Sequence, residues 1–289
     1  MKKNIIFIIK NFLVLIITIL MFGAASKLIN GTGNMPQFLI DAYESSMFLK
    51  TGTKTLAIIS LCSIITVFLL LNFHMIKEGI HNNRLVKGLI YGGSFGIVWF
   101  FGFTEFIVIN HSENALQHLR SSIRDLLCLS LFGLVAGALL CKSQNNRMKR
   151  NLSSLVSIPF IALFFAVFHG TQLYFTFRSV AERQTISGLL DIIWLLAFGM
   201  WIGFMYYLFC PGIRFKNKYL KSLFFSYSIF GTNWLLFNSF YNIFLDIPLW
   251  DLFIRCFTGC TGIFIGLVVY EYVLGTRRLI VSKNVKGEV

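Results

Sequence analysis

Charge is what this sequence has least of. Only 13% of its 289 residues are Asp, Glu, Lys or Arg, while 56% are hydrophobic and the mean hydropathy is +0.72. A soluble domain keeps roughly a quarter of its residues charged, so a soluble globule is excluded. Acid is especially scarce: 12 Asp and Glu against 26 Lys and Arg leave a formal net charge of +14. The six cysteines include no CxxC, so neither a zinc ribbon nor a thioredoxin-like motif is signalled. There is no HExxH, no paired zinc ligands and no phosphate-binding loop. No cofactor is assigned on these grounds, and ATP-driven transport would need a separate partner. No polar stretch is long enough to hide a soluble domain.

What the chain has instead is apolar runs of about 20 residues, the length that crosses a hydrocarbon core of roughly 30 Å. Eight are expected, at about 11–27, 55–76, 88–109, 126–141, 153–174, 188–209, 222–244 and 253–274. The bases fall in short loops on one side: Lys2, Lys3 and Lys10; Lys77, Arg84 and Lys87; Lys142, Arg147, Lys149 and Arg150; Arg214, Lys216, Lys218 and Lys221; Arg277, Arg278, Lys283 and Lys286. The opposite loops carry the balancing acids Asp41, Glu44, Glu113, Glu182, Asp246 and Asp251. Positive loops stay cytoplasmic, which puts both termini inside. The positive charge thus faces anionic headgroups of the lipid bilayer, and nucleic acid is not expected as a partner. Lys2-Lys3 followed by an apolar run resembles a signal peptide, but no clear cleavage site follows, and it reads as a retained first helix. The Lys-, Asn-, Ile- and Phe-rich composition points to a bacterial inner membrane. The sequons at Asn30 and Asn110 are then accidental.

One long stretch occurs twice. Basic turns beginning at Gly79 and Gly212 each lead into an apolar run with Gly and Trp at matching places, Gly96 and Trp99 in one, Gly231 and Trp234 in the other. Ile123-Arg124 and Ile254-Arg255 then open the next runs, followed by GxxxG at Gly133/Gly137 and Gly262/Gly266. The expected fold is all-α: eight transmembrane helices as two tandem four-helix repeats, 1–142 and 143–289. Four crossings is an even number, so the repeats are parallel rather than inverted. GxxxG also occurs at Gly92/Gly96 and Gly199/Gly203, and small residues one turn apart let helices approach closely in lipid. The Gly133 and Gly262 pairs are expected near the interface between halves. Pro159 is expected to kink or loosen its span.

The loop after the first run holds Asn34-Met35-Pro36, a helix start, followed by Phe38, Leu39, Ala42, Tyr43 and Met47 at helical spacing. This predicts a short amphipathic helix on the outer surface. The stretch Met21-Phe22-Gly23-Ala24-Ala25-Ser26-Lys27-Leu28, with that helix and the second span, resembles DoxX-type four-helix membrane proteins over about residues 20–70. The acidic residue that likeness implies early in the second span is absent. A quinone-linked redox subunit is what the resemblance implies.

Ionisable residues inside spans are costly and are functional suspects. Glu105, His169, Asp191 and Glu271 qualify, with His74 near an inner end. At about 1.5 Å per residue, Glu105 and His169 lie roughly 24–26 Å from the cytoplasmic ends, with Asn238 at a similar height and Asp191 about one turn from the outer end. Gln172, Asn242, Arg124, Arg255 and Lys27 lie just above. A ligand-binding set of Glu105, His169, Asp191, Asn238, Arg124 and Arg255 is therefore expected around an outward-facing vestibule. The competing reading has side chains reaching for headgroups and the acids paired with Arg124, Arg178 or Arg255. Gly231, Trp234, Asn238, Tyr241 and Asn242 share one helix face, either lining a cavity or bonding between helices.

Catalytic readings are weaker, and no enzyme is expected. Gly92-Gly93-Ser94-Phe95-Gly96 matches GxSxG, but without the strand a nucleophile elbow needs. His169 stands about 15 Å from the depth of Ser94. His74 and His169 lie on opposite sides of the membrane, so they cannot ligate one haem. Two functions remain. One is a transporter- or channel-like protein for a small polar or anionic solute. The other is a non-transporting subunit, an anchor or an immunity or resistance factor, held to a membrane protein partner or in a homo-oligomer.

Overall fold

The computed structural model describes residues 2–28, 43–80, 83–108, 115–141, 152–176 and 188–286. These residues are helical, apart from short connections and one bridge between Ser45 and Leu245. The long helices are α1 (Lys2–Leu28), α3 (Lys54–Ile76), α4 (Arg84–Val108), α5 (Ala115–Leu140), α6 (Ser157–Thr176), α7 (Leu189–Phe209) and α11 (Leu249–Lys286). A four-residue α2 (Met47–Lys50) precedes α3. Among the described residues seven helical segments are long and apolar enough to cross a membrane. The chain is a multi-pass membrane protein with lipid around it. The apolar runs form helices because a backbone in hydrocarbon must satisfy its own N–H and C=O groups.

The run expected at 222–244 is helical but not one helix. α8 (Lys218–Leu223) passes into a π-helical stretch, Phe224–Gly231, then into α9 (Thr232–Ser239) and, after a turn at Phe240, α10 (Tyr241–Phe244). The backbone changes type twice, so no single helix there reaches spanning length. The π stretch ends at Gly231, where a Cβ would meet the Cys260 thiol at 2.8 Å and the Ser226 carbonyl at 3.0 Å. Pro159 also differs from expectation. It falls in the first turn of α6, directly after a 3-10 turn (Leu152–Val156). A proline there lacks only an N–H with little intrahelical work to do, so the irregularity is a change of helix type before the span rather than a kink within it.

The GxxxG glycines do their work inside each half of the chain. A Cβ at Gly88 or Gly92 would strike α5 at the Gly133 backbone, and one at Gly133 or Gly137 would strike α4. Gly199 and Gly203 press on Ala162 and Ile158 of α6, while Gly262 and Gly266 press on α6 at Phe164 and Phe160. The expectation that the Gly133 and Gly262 pairs meet between halves is thus corrected. Each seats its helix on a neighbour from the same half.

Other groups join the halves. A Cβ at Gly79 would strike the Gly212 backbone, and one at Gly212 would strike Ile76. Asn72 of α3 donates to Ser228 O (3.3 Å) and Thr232 Oγ1 (3.4 Å). Trp201 of α7 donates to Ser94 O on α4 (3.1 Å), and Trp99 of α4 to Asn233 Oδ1 on α9 (3.1 Å). An aromatic core, including Phe95, Trp99, Phe198, Phe209, Phe230 and Trp234, fills the space between. α1 stands at the edge, with only 11% of its spanning window buried.

The outer surface helix expected over 35–47 falls largely on residues 29–42, outside the described residues, as do Asn30 and Asn110. Residues 43–46 are not helical. Ser46 caps α2 and ties it to the far loop, its N–H donating to Phe244 O (3.0 Å) and its hydroxyl to Ile243 O (2.6 Å).

Candidate functional site

Three of the expected residues meet. Glu105 lies three residues before the end of α4, Arg255 in the second turn of α11, and His169 in the second half of α6. Glu105 Oε1 accepts a hydrogen bond from Arg255 Nη2 at 2.5 Å, and Glu105 Oε2 lies 3.5 Å from His169 Nε2. The second distance is within ion-pair reach and long for a hydrogen bond. The three side chains are 0%, 3% and 0% exposed, respectively. A charge pair this deep is expensive to assemble, and losing one partner costs about 3–5 kcal/mol because the other is left buried and uncompensated.

Aromatic rings wall the group. Phe165, one turn before His169, stacks on it with ring centroids 4.9 Å apart and an interplanar angle of 17°. Trp234 meets His169 edge-on at 5.9 Å, and Trp194 lies at 6.5 Å. Trp194 is anchored by its indole N–H to Thr104 Oγ1 (3.1 Å), the residue beside Glu105. The Arg255 guanidinium lies 5.9 Å from the Tyr241 ring centre. Gly259, one turn beyond Arg255, keeps the other side of the imidazole uncrowded: a Cβ there would stand 3.7 Å from His169 Nδ1.

The expected residues otherwise divide. Asn238 is wholly buried and donates its Nδ2 to Trp234 O in its own helix (2.8 Å). Asp191, also buried, sits in the first turn of α7 and accepts the Gly188 N–H (3.3 Å), a carboxylate at the positive end of a helix. It stands one turn before Trp194, behind the site wall. Arg124 is elsewhere, on α5, bound to its neighbour Asp125 (Nε to Oδ1, 2.6 Å). Glu271 pairs with Lys218 of α8 (2.6 Å). His74 Nε2 donates to Asn11 Oδ1 (2.8 Å) near the basic ends of α1 and α3. Ser94 donates its hydroxyl to Ile90 O (2.6 Å). The side chain of Lys27 lies outside the described residues.

Sequence reasoning passed over Phe165, Trp194 and Asp125. The first two were recoverable, since each lies one turn from a suspect, on the same helix face as His169 or Asp191. Asp125 was missed because its span was expected to begin at 126, whereas α5 begins at Ala115.

Several buried polar atoms in or against this group find no hydrogen bond of ordinary length among the described residues: Glu105 Oε2, both His169 nitrogens and the Trp234 indole N–H; Asn238 Oδ1, one turn beyond Trp234, is likewise unbonded. Buried polar groups are otherwise nearly always paired. The arrangement offers a carboxylate, a guanidinium, an imidazole, an indole donor and an amide acceptor, and it could hold a small polar molecule or pass a proton between Glu105 and His169. Compared with models of known protein families, with curated proteins and with solved structures, the chain matches none of them.

Proposed function

We propose that this protein is a transporter- or channel-like protein of the bacterial inner membrane that binds a small polar or anionic solute at the Glu105–His169–Arg255 group. The single observation that carries this reading is the concentration of unbonded polar atoms around a fully buried charge pair, where an apolar core would have served packing alone. Arg255 and His169 take the anionic end of the solute, Trp234 and Asn238 its polar remainder, and Glu105 holds Arg255 in place until the solute arrives. Asp191 acts one turn behind, by fixing the start of α7 and hence Trp194.

The scaffold is read as eight crossings, with residues 218–244 as the seventh, in two tandem four-helix repeats, 1–142 and 143–289, and both termini cytoplasmic. The contact between Gly79 and Gly212 supports this, because equivalent residues touch each other where a two-fold axis along the membrane normal passes between parallel repeats. The hydrogen bonds of α3 to α9 and of α7 to α4 are related by the same exchange of halves.

Uptake of small carboxylates, amino acids and sugars into proteoliposomes tests the function. At least one solute should enter, and Glu105→Gln should lower its uptake about a hundredfold, as expected when a buried charged contact worth about 3 kcal/mol is removed. If Glu105→Gln and Asp191→Asn leave uptake and binding intact, the site is wrong. The peripheral placement of α1 favours the second reading, a subunit that holds a membrane protein partner. A stoichiometric partner in mild detergent, with no solute bound, would select it.

A further inference from the structure

A groove of about 410 Å³ opens sideways between α3 and the α9–α10 run, away from the Glu105 group. Its floor is Leu56, Ala57, Leu61 and Ile64 of α3; Phe48 of α2 and Ile243 close its end. From Lys54 to Ile64 is ten residues, about 15 Å of helix. That is one leaflet's share of a roughly 30 Å hydrocarbon core. The groove is thus as deep as one acyl chain, and it opens to lipid.

Two features at its head restrict the occupant. Lys54 lies on the same face of α3 as Ala57 and Leu61, with Nζ 4.5 Å from the Phe244 ring centre. It makes no ion pair with an acid among the described residues. Asn242, which lines the groove, spends its Nδ2 on Ile247 O (3.1 Å), while its buried Oδ1 meets no donor among the described residues. An occupant should bring a negative charge for Lys54, an O–H donor for Asn242 and one acyl chain for the floor.

We infer that the groove seats an anionic phospholipid with a hydroxyl-bearing headgroup, of the phosphatidylglycerol class, in the leaflet opposite the basic loops. The phosphate faces Lys54, a headgroup hydroxyl donates to Asn242 Oδ1, and one chain runs along Leu56 to Ile64. The lipid bridges α3 to α10 at the joint between the halves.

The test is native mass spectrometry of the full-length protein, delipidated and re-supplied with phosphatidylglycerol or phosphatidylcholine of identical chains. The wild type should retain phosphatidylglycerol preferentially. Lys54→Gln should weaken that retention about fivefold, the value of one basic residue near an anionic surface. Asn242→Leu should lower the preference for phosphatidylglycerol, and Ala57→Trp should remove both lipids by filling the floor. Lys54→Gln lies at a helix end and leaves folding intact if Ala57→Trp does not. Equal retention of the two lipids, retention unchanged by Lys54→Gln, or equally tight binding of free glycerol phosphate would each overturn the inference.

Discussion

Arg124 and Arg255 occupy matching places in the chain. Each follows an isoleucine and precedes a GxxxG by about two turns. Their partners differ in kind. Arg255 reaches Glu105 on α4, 150 positions away in sequence. Arg124 turns back to Asp125, its own neighbour. The cause is visible in the residues around them. Six positions after Trp99 stands Glu105, whereas six after Trp234 stands Phe240. The residue following Arg255 is Cys256, where Arg124 has Asp125. Each guanidinium needs a counter-charge at membrane depth. A neighbour supplies it without joining helices. A carboxylate on another helix supplies it by pinning α4 to α11 and, in this case, by standing against His169. The same arginine is thus half of a largely buried local pair in one half and the centre of a tertiary site in the other.

The largest break in this comparison should come from Glu105→Ala. It strands Arg255 at 3% side-chain exposure and should cost about 3–5 kcal/mol, read as a fall in the detergent melting temperature. Adding Arg255→Met to that variant should recover part of the loss, and the coupling between the two sites should exceed about 1 kcal/mol. Strictly additive effects would mean that the pair does not hold the helices. Next, Gly133→Leu should cost about 2–3 kcal/mol, because its side chain has only the Gly88 and Gly92 backbone to enter. The same change at Gly23, where a Cβ meets nothing within 4 Å, should leave the melting temperature unchanged. Asp125→Asn should cost less than Glu105→Ala, about 1–2 kcal/mol, since Arg124 keeps 15% of its side chain exposed and can turn outward. A larger loss than at Glu105 would reverse the ranking of the two arginines.

The smallest effect is expected at the exposed Lys50–Glu44 pair, 2.8 Å apart. The Lys50 hydrogen bond holds the Glu44 carboxyl below its ordinary pKa. Whatever it contributes is therefore present at neutral pH and lost as pH falls through the carboxylate range. Glu44→Gln should leave the melting temperature unchanged at pH 7. A clear fall would show that the loop carrying Ser46 depends on it.

Much of the site could be read in one dimension. Glu105 and His169 were conspicuous because a charge in an apolar run has no cheap explanation, and helical rise put them at one depth. Depth is only one coordinate, however. Arg124 shares the outer layer with Arg255, and depth alone does not distinguish them; Asp125 beside one and Cys256 beside the other hint at the difference, but the rotation of each helix decides which arginine faces Glu105. Asp191 has the right height too, but its place in the first turn of α7 gives its carboxylate a backbone N–H to accept. The glycine pairs were legible as close-approach points, while their partners were not, because a GxxxG specifies how near a helix comes and not which one. The change of helix type over Phe224–Gly231 left no mark in the hydropathy.

Composition and charge placement were enough to make this a helical, multi-pass membrane protein. Lipid offers a backbone no hydrogen bonds, so any long apolar run must close its own. The pairing of Glu105 with Arg255 rather than with Arg124, and the aromatic walls around His169, depended on packing. A buried charge takes whichever counter-charge the neighbouring helix brings within about 3 Å, and that distance is set by crossings between segments far apart in the chain.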